Sequence, residues 1–323
     1  MYNQIEAILE QYDIEIRQIT KGRGTYICDT KEGKKILTPF RGSIERGGRL
    51  RECLWKLQSI GFPVEQVVIN KEQTSVTVDA VTGERFMLLD YTEGIELNPL
   101  KEDDVVAGAR LLGEYHSLIS KLDFENAVVS EKDKAVEIKI RHYKELIKIR
   151  NHIRNKKKKN DFERLFLANA MSLVEVAEKS IEHLQQVRYR SCDYMFCHGD
   201  YNQHNIVNTE TGWRMIHLEN MNYGLAMEDL AYYIRKIMEK NQWNIKLGEN
   251  LLFAYEQAHA LDEVQKEQLY GLLLFPERFW KITNHYMNSN KAWVSGRDIE
   301  KLEKVIEQES LRIKFMENLF SFQ

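Results

Sequence analysis

The spacing of apolar positions changes several times along this chain. Ile5, Ile8, Leu9 and Tyr12 recur at helical spacing and predict a short amphipathic helix at the start. The period then shortens. Ile14 and Ile16 alternate with charges, Thr25 to Cys28 is β-prone, and Lys35 to Phe40 follows a Glu32-Gly33 turn, so short strands are expected. Leu50, Cys53, Leu54 and Leu57 share one helical face, predicting a helix over Arg46 to Ile60 that Gly61-Phe62-Pro63 ends. Strand patterns resume at Glu65 to Asn70, Thr74 to Val81 and Arg85 to Tyr91.

From about Lys101 the pattern is almost wholly helical. Val105, Ala109, Leu112, His116 and Ile119 mark one helix and Phe162 to Leu184 another, with a strongly basic segment, Lys139 to Lys159, between them. β character returns only around His198 and at Trp213 to Leu218. Four further helices are expected near Met227–Glu239, Lys246–Ala258, Glu263–Tyr286 and Asp298–Leu319. No internal repeat or low-complexity linker is present. The coarse reading is a β-rich lobe over residues 1–91 feeding a helical lobe over 92–323 through Asp90-Tyr91-Thr92-Glu93-Gly94.

Composition narrows the classes. A chain of 323 residues with 43% hydrophobic content has room for two lobes with real cores. A net charge of −3 and a pI near 6.3 give no global attraction for nucleic acid or anionic membrane. Cys28, Cys53, Cys192 and Cys197 form no Cys-x-x-Cys pair, so neither a zinc ribbon nor a redox motif is supported, and a reduced compartment is the default. The first residues carry charge where a signal peptide would be apolar, and no apolar run approaches the roughly 20 residues of a membrane span. A soluble intracellular protein is the expectation.

The candidate chemistry lies in Phe196-Cys197-His198-Gly199-Asp200-Tyr201-Asn202-Gln203-His204-Asn205-Ile206-Val207, a loop between two apolar runs. Phosphoryl transfer needs a carboxylate beside the attacking hydroxyl and an oxygen ligand for the nucleotide's metal. Asp200 and Asn205 could supply both from one tight loop. The plainer alternative is an Asx-type turn that only shapes the chain.

That loop and layout resemble the aminoglycoside phosphotransferase and choline kinase-like branch of the protein-kinase fold. Together with Asn155–Phe162, Glu228–Lys236 and Phe275–Tyr286, they resemble the spore coat-associated proteins of the CotS/YutH type from endospore-forming bacteria. The resemblance implies an α+β, two-lobed protein kinase-like fold with a β-rich N-lobe and a mostly helical C-lobe. It makes Asp200 the catalytic-loop base and Asn205 a magnesium ligand. His198 would hold the loop through a backbone hydrogen bond, and Asp229 would be a cap or loop tether. Gly22 and Gly24 would cover phosphates, and the stretch Leu88 to Thr92, with Leu88, Asp90 and Tyr91, would form the nucleotide-binding hinge.

Two positions depart from the family pattern. The strand that carries the phosphate-binding lysine in active kinases has Thr38 at that place. Lys34 shares its face but sits roughly 13 Å back along a strand. Arg23, Arg49 and Arg51 are possible substitutes, and Glu52 is the candidate for the glutamate that would hold the cation. An unreplaced cation leaves a deficit of about 3 kcal/mol or more, by analogy with a single oxyanion donor. In Ile216-His217-Leu218-Glu219, His217 stands where active relatives carry the metal-bridging Asp, and imidazole is a poor magnesium ligand. Glu219 is the candidate metal ligand in its stead. The glycine turn, Lys21-Gly22-Arg23-Gly24-Thr25, is also abbreviated.

Other features carry bland readings beside sharper ones. His198, His204 and His217 could converge on a transition metal, but structural histidines are commoner. The basic segment lacks interleaved aromatics and reads as a solvated face. Phe279, Trp280, Asn284, Tyr286, Asn288 and Trp293 read either as core or as a substrate-cleft wall suited to a hydroxylated ligand, with Trp280, Asn284 and Tyr286 the leading cleft candidates. Two functions follow. One is a spore coat-associated pseudokinase, made in the mother-cell cytoplasm and then incorporated in the coat, with other spore coat proteins as partners. The other is an active phosphotransferase using ATP and Mg2+ on a small hydroxylated metabolite or coat polysaccharide. In the first, no cofactor is needed; in neither is nucleic acid a partner.

Overall fold

The computed structural model describes residues 2–122, 134–289 and 296–320. In chain order the elements are α1 (Tyr2–Leu9), β1 (Ile16–Lys21), β2 (Tyr26–Thr30), β3 (Gly33–Pro39), α2 (Ile44–Ser59), β4 (Val67–Val68), β5 (Thr77–Val78), β6 (Arg85–Asp90), β7 (Ile95–Glu96), α3 (Glu102–Ile119), α4 (Lys134–Asn155), α5 (Asp161–Gln186), β8 (Tyr194–Cys197), β9 (Ile206–Thr209), β10 (Gly212–Met215), β11 (Asn222–Leu225), α6 (Ala226–Met238), α7 (Ile245–Glu256), α8 (Glu263–Leu274), α9 (Glu277–Asn288) and α10 (Gly296–Leu319). They divide into two compact units. One gathers Met1–Leu97, Ser117–Asn126 and His198–Asn222; the other gathers Asn98–His116, Ala127–Cys197 and Tyr223–Gln323. The loop around Asp200 is thus grouped with the β-rich segment, not with its helical neighbours in sequence.

In the first unit the strands form an antiparallel sheet in the order β1-β2-β3-β6-β4, with β5 also on β6. Strand alternation sorts β3 between two faces. Leu37 joins Ile5, Ile8, Leu9, Cys28 and Leu88 in a cluster under α1, while Ile36 and Thr38 face the other way and line a cleft. Helix α2 starts where Ser43 accepts a hydrogen bond from the Arg46 amide (3.2 Å), and it buries Leu50, Cys53, Leu54 and Leu57 as their spacing predicted. A smaller sheet, β10-β9-β7, carries the Asp200 loop. Its edge strand β7 is too short to leave a periodic signal.

In the second unit α4, α5, α9 and α10 share a core built on Ile153, Phe162, Phe166, Phe279 and Leu302. A capping box opens α5, with Asn160 accepting from the Glu163 amide and Glu163 accepting from the Asn160 amide. The basic segment is the helix α4 followed by exposed Lys157 and Lys158, and Lys156 reaches the buried Glu163 at 2.5 Å.

The expected helix Glu263–Tyr286 is two helices, α8 and α9. Pro276 has no N–H to give, and it pushes Phe275 into extended backbone at ψ 128°, which ends α8. The strands expected over Glu65–Asn70 and Thr74–Val81 contract to the two-residue pairs β4 and β5. No described helix is long and apolar enough to cross a membrane. Trp293 lies outside the described residues.

Candidate functional site

The site is built within the first unit. His198 is fully buried; its Nε2 donates to the Ile216 carbonyl (3.0 Å) and its Nδ1 accepts from the Asp200 amide (3.3 Å). The ring therefore ties the Asp200 loop to the strand end at Ile216, as the sequence suggested. Gly199 follows at φ +80°, and a Cβ there would meet the Asn220 carbonyl at 2.6 Å. Only glycine lets the two loops approach this closely.

Asp200 is clamped by two amides. Asn202 Nδ2 donates to Oδ1 (3.0 Å) and Asn205 Nδ2 to Oδ2 (3.1 Å), and both also reach the Asp200 carbonyl. An amide facing a carboxylate must present its N–H, so Asn205 turns its Oδ1 away. That oxygen has no hydrogen bond among the described residues and is free to ligate a cation.

The opposite wall is organised around His217, Glu219 and Glu65. His217 adopts left-handed backbone (φ 63°, ψ 44°), uncommon for a residue with a Cβ. The side chain of Glu65 accepts from its amide (3.0 Å). Its Nδ1 lies 3.3 Å from Glu219 Oε1, and the same oxygen accepts from Thr38 Oγ1 at 3.2 Å. The hydrogen bond to Glu219 raises the His217 pKa above its ordinary value. Burial, and then the charge of Glu219, push Glu65 up to about 8. Thr38, His217, Glu219 and Glu65 form one closed polar network.

Glu65 was not singled out in the sequence. It follows Phe62-Pro63-Val64, and its only signal was a lone carboxylate among apolar residues. Glu52 does not fill the role expected of it: it projects to solvent and pairs with Lys56 one helical turn on (2.9 Å).

The cleft between these walls is open, with a volume of about 710 Å³, and it is lined by Gly22, Gly24, Thr38, Tyr91, Asp200 and Asn205 among others. The Gly22 amide closes the glycine turn on the Thr25 carbonyl (2.8 Å), and Gly24 sits at φ +73°. Leu88 points into the core under α1, since it pairs with Leu37 across the sheet. Asp90 holds Lys35 at 2.6 Å. Lys34 pairs with Glu93 at 3.1 Å and does not line the cleft; Arg49 and Arg51 are outside it too. Arg23 lines it but lies against His204 (3.3 Å) and Glu96 (3.7 Å). Arg46 is held by the Met221 carbonyl (2.9 Å). Arg41, which the sequence reading passed over, lines the cleft without an ion pair among the described residues.

Trp280, Asn284 and Tyr286 belong to the second unit. Trp280 stacks on His142 and donates to Glu145 (2.8 Å); Tyr286 stacks on Phe162 and holds Asn160 and Glu163; Asn284 holds Asn288. Asp229 lies inside the first turns of α6, buried 3.6 Å from His116, and not at the helix cap.

Glu219, named as a metal ligand, already accepts from Thr38 and His217, and among the described residues no three acidic, His or Cys groups converge to hold a metal. This includes the three histidines named from the sequence.

Comparison with known proteins bears on this geometry. The family model described as "Spore coat putative kinase YutH" matches residues 5–319. Spore coat protein S of Bacillus subtilis is 22% identical over 98% of this chain and 93% of its own length. An aminoglycoside phosphotransferase from Alicyclobacillus acidocaldarius superposes with TM-score 0.80 at 16% identity, covering 97% of this chain and 94% of that one. A spectinomycin phosphotransferase, solved with ADP and spectinomycin, gives 0.66 at 15%, covering 97% and 98%. The mixed α/β kinase-like fold is therefore established.

Proposed function

The chain belongs to the YutH family of spore coat kinase-like proteins, and from that premise we propose that it serves in the spore coat as a kinase-fold component that transfers phosphate poorly or not at all. The carrying observation is the hydrogen bond from Thr38 to Glu219. At the place of the phosphate-binding cation stands a hydroxyl, and it is spent on the carboxylate that would have to hold the metal. His217 engages the same oxygen. Both electrostatic aids to phosphoryl transfer are thus replaced by groups that satisfy one another. Losing one such donor costs about 3 kcal/mol of transition-state stabilisation, or roughly a hundredfold in rate. The open cleft, with Asp200 oriented and Asn205 Oδ1 free, supports a retained capacity to bind a nucleotide or hydroxylated ligand. Placement in the coat rests on the family and on the coat protein relative, with other coat proteins as the partners. We keep the lobe division near Tyr91 as part of this reading.

Calorimetry of ATP binding, with and without Mg2+, on the wild type and on Asn205→Ala, tests it. Binding that is weak and indifferent to Mg2+ in both proteins is the expected result. Tight Mg2+-dependent binding that the substitution abolishes, joined to ATP turnover, would overturn the proposal.

A further inference from the structure

The basic helix α4 and the last helix, α10, both belong to the second unit, and neither lines the cleft. An α-helix brings residues i, i+3 and i+7 onto one face. On α4 that face carries Arg141, Lys144 and Lys148, turned away from the buried Leu146, Ile149 and Ile153. On α10 the same spacing carries Glu300, Glu303 and Glu307, turned away from the buried Leu302 and Val305. All six residues are exposed.

Like charges three and four residues apart on a helix repel, and an exposed face is ordinarily settled by opposite signs at that spacing. These two faces are sorted by sign instead. Among the described residues none of the six side chains has a hydrogen bond or an ion pair. Elsewhere both helices do form such pairs: Lys139 with Glu277 (2.6 Å) on α4, and Lys301 with Asp298 (3.4 Å) and Arg312 with Glu309 (2.6 Å) on α10. Glu145, next to Lys144 in sequence, turns to Trp280 (2.8 Å). Glu137 and Lys304 border the two stripes and make no ion pair with them among the described residues. The sequence thus places a bare basic stripe and a bare acidic stripe of equal spacing on one body.

We propose that α4 of one copy of this chain docks on α10 of a second copy, with Arg141, Lys144 and Lys148 set against Glu300, Glu303 and Glu307. Each stripe runs two turns, about 10 Å, so three opposite charges meet at matching intervals. Exposed ion pairs contribute little singly, and so small a contact gives weak, salt-sensitive association and not an obligate dimer. A twofold axis between the copies would make both contacts at once and close a dimer; without one the contact runs on head to tail. A long polyanion suits the α4 stripe less well. The chain carries a net charge of −3, so a polymer of like sign is repelled by the rest of the surface. An acidic face of the same length, carried by the chain itself, is the better match. The contact does not depend on what the cleft does.

Analytical ultracentrifugation of the intact protein over a range of concentrations tests it. In about 0.01 M salt the weight-average mass is expected to climb above the 38.2 kDa of one chain. It should fall back in about 1 M salt, where charges are screened within about 3 Å. Lys144→Glu/Lys148→Glu and Glu303→Lys/Glu307→Lys should each weaken self-association about tenfold or more, because like charges then face one another. Mixing these two variants should restore association, since each stripe again meets its opposite; a fold damaged by substitution could not be rescued in this way. A wild type that stays monomeric in low salt, association indifferent to salt, or variants that remain apart when mixed would overturn the proposal. So would a monomeric wild type that binds a poly-glutamate peptide through Lys144 and Lys148, which would assign the stripe to a separate acidic partner.

Discussion

At the scale of single residues, the first unit's cleft is governed by which groups satisfy Glu219. Thr38 and His217 share its Oε1, so restoring the family pattern should release that carboxylate and install a cation beside it. The double variant Thr38→Lys/His217→Asp is expected to bind ATP in Mg2+ at least tenfold more tightly than the wild type, about 1.4 kcal/mol. Calorimetry showing no gain would mean that more than these two positions has been lost. Both departures were legible in the chain, because each falls at a fixed place in a short strand or loop motif. Glu65 was not, since its importance arises from Glu219 and the His217 amide, which are remote in sequence. Its folded pKa of about 8 lies above the ordinary glutamate value of about 4.5. Its stabilising contribution is therefore complete below 4.5 and lost as pH rises through about 8. The raised His217 pKa acts in the same direction. Thermal unfolding between pH 5 and 9 should show stability falling with pH, and Glu65→Gln should flatten that fall while leaving the residual slope of His217. An unaltered slope in the variant would show that Glu65 does not titrate in this range.

At the scale of elements, close approaches and breaks decide what periodicity cannot. Gly113 in α3 lies against α7, where a Cβ would meet the Tyr255 carbonyl at 2.5 Å and Ala258 Cβ at 3.1 Å. Backbone cannot yield as a side chain can, so Gly113→Ala should destabilise by about 1–3 kcal/mol despite alanine's better helix propensity. Denaturant unfolding measures this, and a stabilised variant would mean that the helices separate cheaply. The Asn160–Glu163 capping box at the start of α5 gives a second case: Asn160→Ala should cost about 1 kcal/mol. It also removes the hydrogen bond to Tyr286 (2.6 Å), and a loss well under half that figure would show that Glu163 and Lys156 hold the helix start unaided. The long helices were readable from the apolar stripe on α3, α5 and α6. The α8–α9 break was marked by Pro276, yet the continuous apolar run Leu272–Phe275 leads straight into it and masks the stop. Two-residue strands such as β7 carry too few positions to show any period; the sheet partner alone defines them.

At the scale of the whole molecule, each compact unit has its own apolar cluster, one under α1 and one among α4, α5, α9 and α10. Leu37→Ala, at a fully buried site, should cost about 2–5 kcal/mol in the first unit. Hydrogen exchange should then quicken in β2, β3 and β6 more than in α5; equal acceleration everywhere would point to a single cooperative unit. The sequence by itself determined most of the long helices, the main strands of the first unit and the glycine, Asp200 and Asn205 that shape the loop, because periodicity, turn chemistry and short motifs are local and survive without neighbours. The kinase-like fold came from the resemblance those motifs carry. The tertiary structure alone decided that Glu219 is already engaged and that Glu65 and not Glu52 stands at the cleft. Those facts depend on side chains distant in sequence reaching the same few ångströms, where desolvation and hydrogen-bond geometry set what each group can do.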